Sequence, residues 1–382
     1  MYNKVILWQE PLDVLQSLPD NGKCEMSPAQ HGFLCGLLRK KRPRKILEVG
    51  VAAGGTSCVI MEALERLCAE DNTIAELHSV DLNTKYYRDT RQPVGYITER
   101  MGGGYTHVRR KTYYGNVLPK FIEEIGGDID FLVLDTAHSL PGEVLDFLLA
   151  LPYLKKDAAV VLHDVTLSLI VDSPGSFATN VLLEAVSGDK YLLFSDDYPE
   201  GVDNIGGFVI TKETSENIAN VFFSLLKRWS YMPNEEQLKS YKRFYEKYYD
   251  DECLRLFSAA VSFNRKAEYR GKLKDCYEDP GELEIVLRHW AAAKDRVVIY
   301  GIGKYGEAFV RYAKVANLKA DALVVTDGQN LRTISGSDLP VYELSKLPYL
   351  PEECMVIIAV QSQCTRKIIE KELRFRGYSM VL

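Results

Sequence analysis

Ile46-Leu47-Glu48-Val49-Gly50-Val51-Ala52-Ala53-Gly54-Gly55-Thr56-Ser57 runs from an apolar strand, through an acid and a cluster of small residues, into a helix that opens near Thr56. Gly50 and Gly54 leave room for the backbone to come close to a ligand. A dinucleotide would need the free helix N-terminus to meet its pyrophosphate. An acid such as Glu48 at the strand end suits an ammonium instead, directly or through water. About 30 residues on, Leu77-His78-Ser79-Val80-Asp81 ends a second strand in another acid. A carboxylate there can accept from both vicinal hydroxyls of a ribose.

Outward from this turn, short apolar runs alternate with helical stretches, the pattern of a doubly wound α/β parallel sheet. Seven strands are expected: Lys45–Gly50, Glu76–Asp81, His107–Lys111, Phe131–Asp135, Ala158–Leu162, Tyr191–Phe194 and Gly207–Thr211. Phe131–Asp135 and Ala158–Leu162 are continuous apolar runs, as central strands covered on both faces should be. Residues 1–44 read as a helical cap, 45–211 as the sheet domain, 212–294 as a helical connector and 295–382 as a smaller α/β domain. In the connector, Tyr241, Phe244, Tyr245 and Tyr248 recur at helical spacing and read as packing surface.

A net charge of −6 among 382 residues leaves no basic excess for nucleic acid. The run Arg39-Lys40-Lys41-Arg42, with Arg44 and Lys45, reads as a solvated helix end. The eight cysteines form no Cys-x-x-Cys pair, which fits reduced thiols and a cytoplasmic location. No apolar run approaches a membrane span. The partners expected are a small molecule, with neither nucleic acid nor membrane; homo-oligomerisation stays open. His31, His78, His107 and His289 read as structural, and Asp196-Asp197-Tyr198 as a turn.

Asp135, His138, His163 and Asp164 fall at or just past the carboxyl ends of adjacent central strands, where open α/β sheets bind ligands. Two chemistries fit. Asp135, Asp164 and His163 could hold magnesium, whose hard character suits oxygen ligands, to acidify a substrate hydroxyl. Alternatively, His138 or His163 serves as general base without metal. A purely structural role, capping strand ends, is the third reading.

These segments resemble class I S-adenosylmethionine-dependent methyltransferases. Glu48-Val49-Gly50 through Gly54-Gly55-Thr56-Ser57, followed by Val80-Asp81, is similar to their first two motifs. Tyr114-Gly115-Asn116-Val117-Leu118-Pro119 resembles a "G-D-S-x-x-x-L-P" segment. Phe131-Leu132-Val133-Leu134-Asp135-Thr136-Ala137-His138-Ser139 resembles the "F-I-D-G-x-H-S-Y" signature of a small-molecule O-methyltransferase subgroup, and His163-Asp164 its "H-D". The resemblance spans roughly residues 40–211. It implies S-adenosylmethionine as cofactor, with Glu48, Gly50, Gly54, Thr56 and Ser57 at the methionine end, Asp81 on the ribose, Asn116 at the adenine edge and Asp135 beside them. It also implies O-methylation of a sugar or other small metabolite, with magnesium at the acids. Asn116 stands where the family has an acid, and Thr136-Ala137 and Leu140 depart from its pattern near His138.

Val297-Val298-Ile299-Tyr300-Gly301-Ile302-Gly303-Lys304-Tyr305-Gly306 carries a second Gly-x-Gly-x-x-Gly turn, and Asp327 follows Gly306 by 21 residues (327 − 306), the spacing of an acid on an NAD ribose. With Ile334-Ser335-Gly336 through Pro340-Val341, the stretch resembles small Rossmann-type domains of bacterial glycan-modifying proteins. The alternatives to methyl transfer are therefore an NAD-linked oxidoreductase, a nucleotide-sugar-binding protein, or a non-catalytic binding protein.

Overall fold

The structure is a computed structural model and describes residues 2–18, 24–101, 104–173, 175–194 and 201–382. The turn expected at Asp196-Asp197-Tyr198 lies outside the described residues. Two compact units are present, Met1–Ala260 and Val261–Leu382. The stretch read as one connector, 212–294, is divided between them, with the boundary inside the helix Asp251–Lys274.

The first unit holds a seven-stranded sheet. In chain order its strands are β1 (Lys45–Val49), β2 (Ala75–Asp81), β5 (Val108–Tyr114), β6 (Ile129–Leu134), β7 (Leu154–His163), β8 (Asp189–Phe194) and β9 (Val202–Val209); between β2 and β5 a small hairpin, β3 (Lys85–Tyr86) and β4 (Asp89–Pro93), stands apart. The spatial order is β5-β2-β1-β6-β7-β9-β8. All neighbours are parallel except β9, which runs antiparallel to β7 and β8. β6 is therefore the middle strand, and Phe131, Leu132, Val133 and Leu134 are fully buried. Truncating Phe131 to alanine would cost about 3–5 kcal/mol. The doubly wound class read from the sequence is the fold observed.

The last strand begins five residues earlier than Gly207, the start read from the sequence (207 − 202). Asp203 and Asn204 break the apolar pattern there, yet both are buried, because polar partners await them: Gln30 Nε2 donates to Asp203 Oδ1 at 2.7 Å.

Gln30 lies on the helix Pro28–Lys41, which packs under the sheet. Proline opens this helix, and a capping box links Ser27 and Gln30 in both directions. Such a cap is worth about 1 kcal/mol. At the other end Arg42 turns left-handed and pairs with Glu70 and Asp71, while Arg44 also holds Asp71. The basic run is thus a helix end tied to the acidic end of the next helix, Gly55–Asp71.

The second unit holds a five-stranded parallel sheet of β10 (Arg296–Tyr300), β11 (Ala322–Val325), β12 (Val341–Glu343), β13 (Cys354–Ile358) and β14 (Met380–Val381), ordered β12-β11-β10-β13-β14. A β-carbon on Gly306 would lie 2.0 Å from the Gly301 carbonyl, so only glycine lets the helix Lys304–Ala316 pack this close to the turn. Asp327 does not play the part read from the sequence. Its Oδ1 accepts from the Ser345 amide (2.8 Å) and Oδ2 pairs with Arg376 (3.2 Å), and it does not border the cavity at the carboxyl ends of β10, β11 and β13.

Candidate active site

A cavity of about 470 Å³ opens at the carboxyl end of the first sheet. That volume falls within the ordinary range for small-molecule sites. The Gly-rich turn after β1 forms its floor. Gly50 stands at φ 96°, and a β-carbon there would lie 1.8 Å from the Asp135 carbonyl. Gly54, at φ 94°, caps the helix Gly55–Asp71. Asp81 ends β2 and borders the cavity, with Oδ2 accepting from the Val51 (3.0 Å) and Ala52 (3.2 Å) amides and Oδ1 from Asn83 (2.8 Å). Thr56 and Asn116 also border it.

Glu48 and Ser57 do not. Strand residues alternate faces, and Glu48 turns away from the cavity bordered by its neighbours Val49 and Gly50. Its carboxylate, 1% exposed, accepts from Ser57 Oγ at 2.7 Å and Ser79 Oγ at 2.7 Å. Burial pushes its carboxyl above the usual range, and the two serines partly oppose that. The ammonium contact expected of Glu48 is therefore replaced by a structural one, anchoring β1 to β2 and to the helix under the turn.

The residues read at the ends of the central strands do converge. Asp135 and His138 border the cavity, and Asp164 stands just behind them. His138 Nε2 lies 3.1 Å from Asp164 Oδ2 and 4.0 Å from Asp135 Oδ1. Ligand atoms of Asp135, His138 and Asp164 all fall within 4.8 Å of one another. This group differs from the metal set read from the sequence, in which His163 stood in place of His138. His163 is 3% exposed; Nδ1 meets Asp135 (3.0 Å) and Asp164 (3.2 Å), while Nε2 meets Gln30 Oε1 (3.3 Å). Both nitrogens are thus engaged. Burial opposes its charge, but Asp135 and Asp164 outweigh it and lift His163 to about 10. A histidine held charged neither takes a proton at neutral pH nor ligates a cation. It neutralises the paired carboxylates instead.

Several contributors carried no motif. Asn204 Nδ2 donates to Asp164 Oδ1, and the Asn204 carbonyl accepts from the Asp164 amide (2.8 Å). Glu143, fully buried, accepts from the His138 amide and from Thr136 Oγ1 (2.9 Å). His31, read as structural, lies 3.3 Å from Thr56 Oγ1, and burial, with His163 nearby, lowers it to about 4. Tyr231, Pro233, Gln237 and Tyr241, from the stretch read as a helical connector, border the cavity as well, Tyr241 from the stripe read as packing surface. Phe244 and Tyr245 do pack as expected, the Tyr245 hydroxyl donating to the Leu145 carbonyl at 2.9 Å.

Residues 47–165, about a third of the chain, match the family described as "Methyltransferase domain". No curated protein matches the chain. Among solved structures it is similar to the O-methyltransferase TomG from Streptomyces achromogenes in complex with SAM, at 21% identity over 54% of this chain and 92% of that one, with a TM-score of 0.37. It is also similar to an O-methyltransferase from Bacillus cereus in complex with SAH, at 17% identity over 53% and 89% of the two chains, with a TM-score of 0.34.

Proposed function

We propose that the protein is an S-adenosylmethionine-dependent O-methyltransferase acting on a hydroxyl of a sugar or other small metabolite, a reading supported by the match of residues 47–165 to the methyltransferase domain family. The observation that carries this reading is the convergence of Asp135, His138 and Asp164, the first two bordering the cavity floored by the glycine turn. The turn and Asp81 receive the methionine and ribose portions. The acceptor hydroxyl sits against Asp135 and His138.

In the reaction an oxygen lone pair of the acceptor forms the new C–O bond. The S–C bond breaks and its electrons return to sulfur, leaving a neutral thioether. The hydroxyl proton passes to the pair formed by His138 Nε2 and Asp164 Oδ2, which share it across 3.1 Å. His163, charged and buried, offsets the two carboxylates so that they can stand side by side. Because the sulfonium is already activated, positioning carries much of the rate. In an alternative to that proton transfer, the two carboxylates and one imidazole would fit a divalent cation such as magnesium. Held by Asp135 and Asp164 with His138, it would make the hydroxyl more acidic.

The test is calorimetric binding of S-adenosylhomocysteine, followed by methyl transfer from labelled S-adenosylmethionine to a panel of hydroxylated sugars. Product binding and labelled methyl ethers are expected. Absence of any binding by the native protein would overturn the reading.

A further inference from the structure

Methyl transfer leaves unused the second glycine turn, Gly301-Ile302-Gly303, which belongs wholly to the second unit. The sheet there runs β12-β11-β10-β13-β14, so the chain steps outward from β10 on one side and then crosses back to β13 on the other. A parallel sheet leaves a crevice where its order reverses in this way, outside the carboxyl ends of the strands. A cavity of about 710 Å³ lies at that point, bordered by the ends of β10, β11 and β13. It has room for a molecule of nucleotide size rather than for a single small ion.

The wall of this cavity is built for an anion. The helix Lys304–Ala316 opens onto it, and Gly303 at its N-cap supplies no side-chain cap. The first-turn amides and the positive end of the helix favour negative charge. Gly303 has extended backbone, at φ −81°, and a β-carbon there would meet nothing within 4 Å. This glycine is therefore not demanded by its backbone angle or by packing; it keeps the space over the helix start open. Arg332 reaches the same turn from beyond β11, its Nη2 lying 3.4 Å from the Ile302 carbonyl. Lys304 borders the cavity as a second cation. Among the described residues no Asp or Glu borders it, in a chain whose net charge is −6.

The ribose end is different from that of an NAD site. Asp327 is spent on the Ser345 amide and Arg376. Thr326, which does border the cavity, shares a hydrogen bond with the Tyr300 hydroxyl at 2.7 Å. No carboxylate is left there to accept from both hydroxyls of a ribose. Recognition runs through phosphate instead, and Val325, Val360 and Ile369 offer apolar surface to a base.

We propose that the second unit binds a nucleoside 5′-diphosphate group, free or esterified to a sugar, with its phosphates over Gly303 and the start of the following helix, facing Arg332 and Lys304. The inference is independent of the methyltransferase reading. NAD+ carries the same two phosphates, but its nicotinamide cation cancels one charge and its ribose finds no acid, so it binds more weakly.

The experiment titrates the full chain by calorimetry with ADP, UDP, UDP-glucose, NAD+ and inorganic diphosphate, keeping S-adenosylhomocysteine in excess to occupy the first unit. At least one of the first three should bind, roughly tenfold or more tighter than NAD+ and inorganic diphosphate, the worth of one charge-assisted hydrogen bond. A preference for UDP-glucose over UDP assigns the group to a nucleotide sugar, and the reverse to a free nucleotide. Gly303→Leu, which sets a side chain over the helix start, should abolish binding with Tm unchanged. Arg332→Ala should weaken it by roughly 10- to 100-fold. No binding of any nucleoside diphosphate by wild type, or binding that both variants leave intact, would overturn the assignment. NAD+ or inorganic diphosphate binding as tightly as the nucleoside diphosphates would overturn it as well. Failure of S-adenosylhomocysteine to bind bears on the methyltransferase reading alone.

Discussion

His138 Nε2 stands 3.1 Å from Asp164 Oδ2, and both residues hold left-handed backbone conformations, at φ 55° and 62°. Each such non-glycine residue costs of the order of 1 kcal/mol, and strain of this kind gathers at functional sites. Buried partners hold it in place: Glu143 accepts from the His138 amide, and Asn204 accepts from the Asp164 amide at 2.8 Å. His138→Ala should therefore lower turnover by roughly 10²–10⁴-fold, the usual worth of a positioned proton acceptor. Affinity for S-adenosylhomocysteine should stay essentially unchanged. Wild-type turnover in the variant would remove His138 from the chemistry.

Asp164→Asn tests the other half of that pair. The asparagine keeps the shape but loses the charge that His138 and His163 face. Turnover should be abolished with cofactor binding nearly intact. If the three groups hold magnesium instead, chelation by EDTA lowers wild-type activity and magnesium restores it. Full activity after chelation would leave the proton transfer to His138 and Asp164 alone.

Asp146 makes a prediction about stability. Its carboxyl titrates near 7 in the folded chain against an ordinary 3.8. The folded state thus keeps a proton that the unfolded chain releases, and stability falls as pH rises from about 4 to about 7, by at most ~4 kcal/mol. Asp146→Asn removes this cost. In thermal denaturation without ligand, the variant's Tm should gain on wild type between pH 5 and pH 8. A difference that is flat across that range would place the carboxyl in an ordinary environment.

Gly50→Ala should do more harm than any polar change at the site. The new methyl would lie 1.8 Å from the Asp135 carbonyl, at a φ of 96° that alanine rarely adopts. Strain of roughly 1–3 kcal/mol comes from the backbone alone. Both S-adenosylhomocysteine binding and Tm should fall, whereas Gly104→Ala, where a β-carbon meets nothing within 4 Å, should change neither.

The sheet was legible because its strands are local apolar runs bounded by small or acidic residues. β1, β2, β6 and β7 fall within a few residues of their expected limits, and Asp135, His138 and Asp164 follow from being at strand ends. What stayed hidden depends on distant partners. Gln30 meets Asp203 across 173 positions, and Tyr241 meets Asp146 across 95. No periodicity announces such a pair. His163 reads as a base or ligand because it falls at a central strand end and a free imidazole titrates near neutral pH. Only the packing shows both its nitrogens occupied.

The hydrogen bonds from Val51 and Ala52 to Asp81 have a kinetic consequence. They hold the glycine turn in shape before any ligand arrives, so little loop entropy remains to be lost on association. Encounter should resemble docking into a rigid seat, and differences in affinity among nucleoside analogues should emerge in how fast each one leaves.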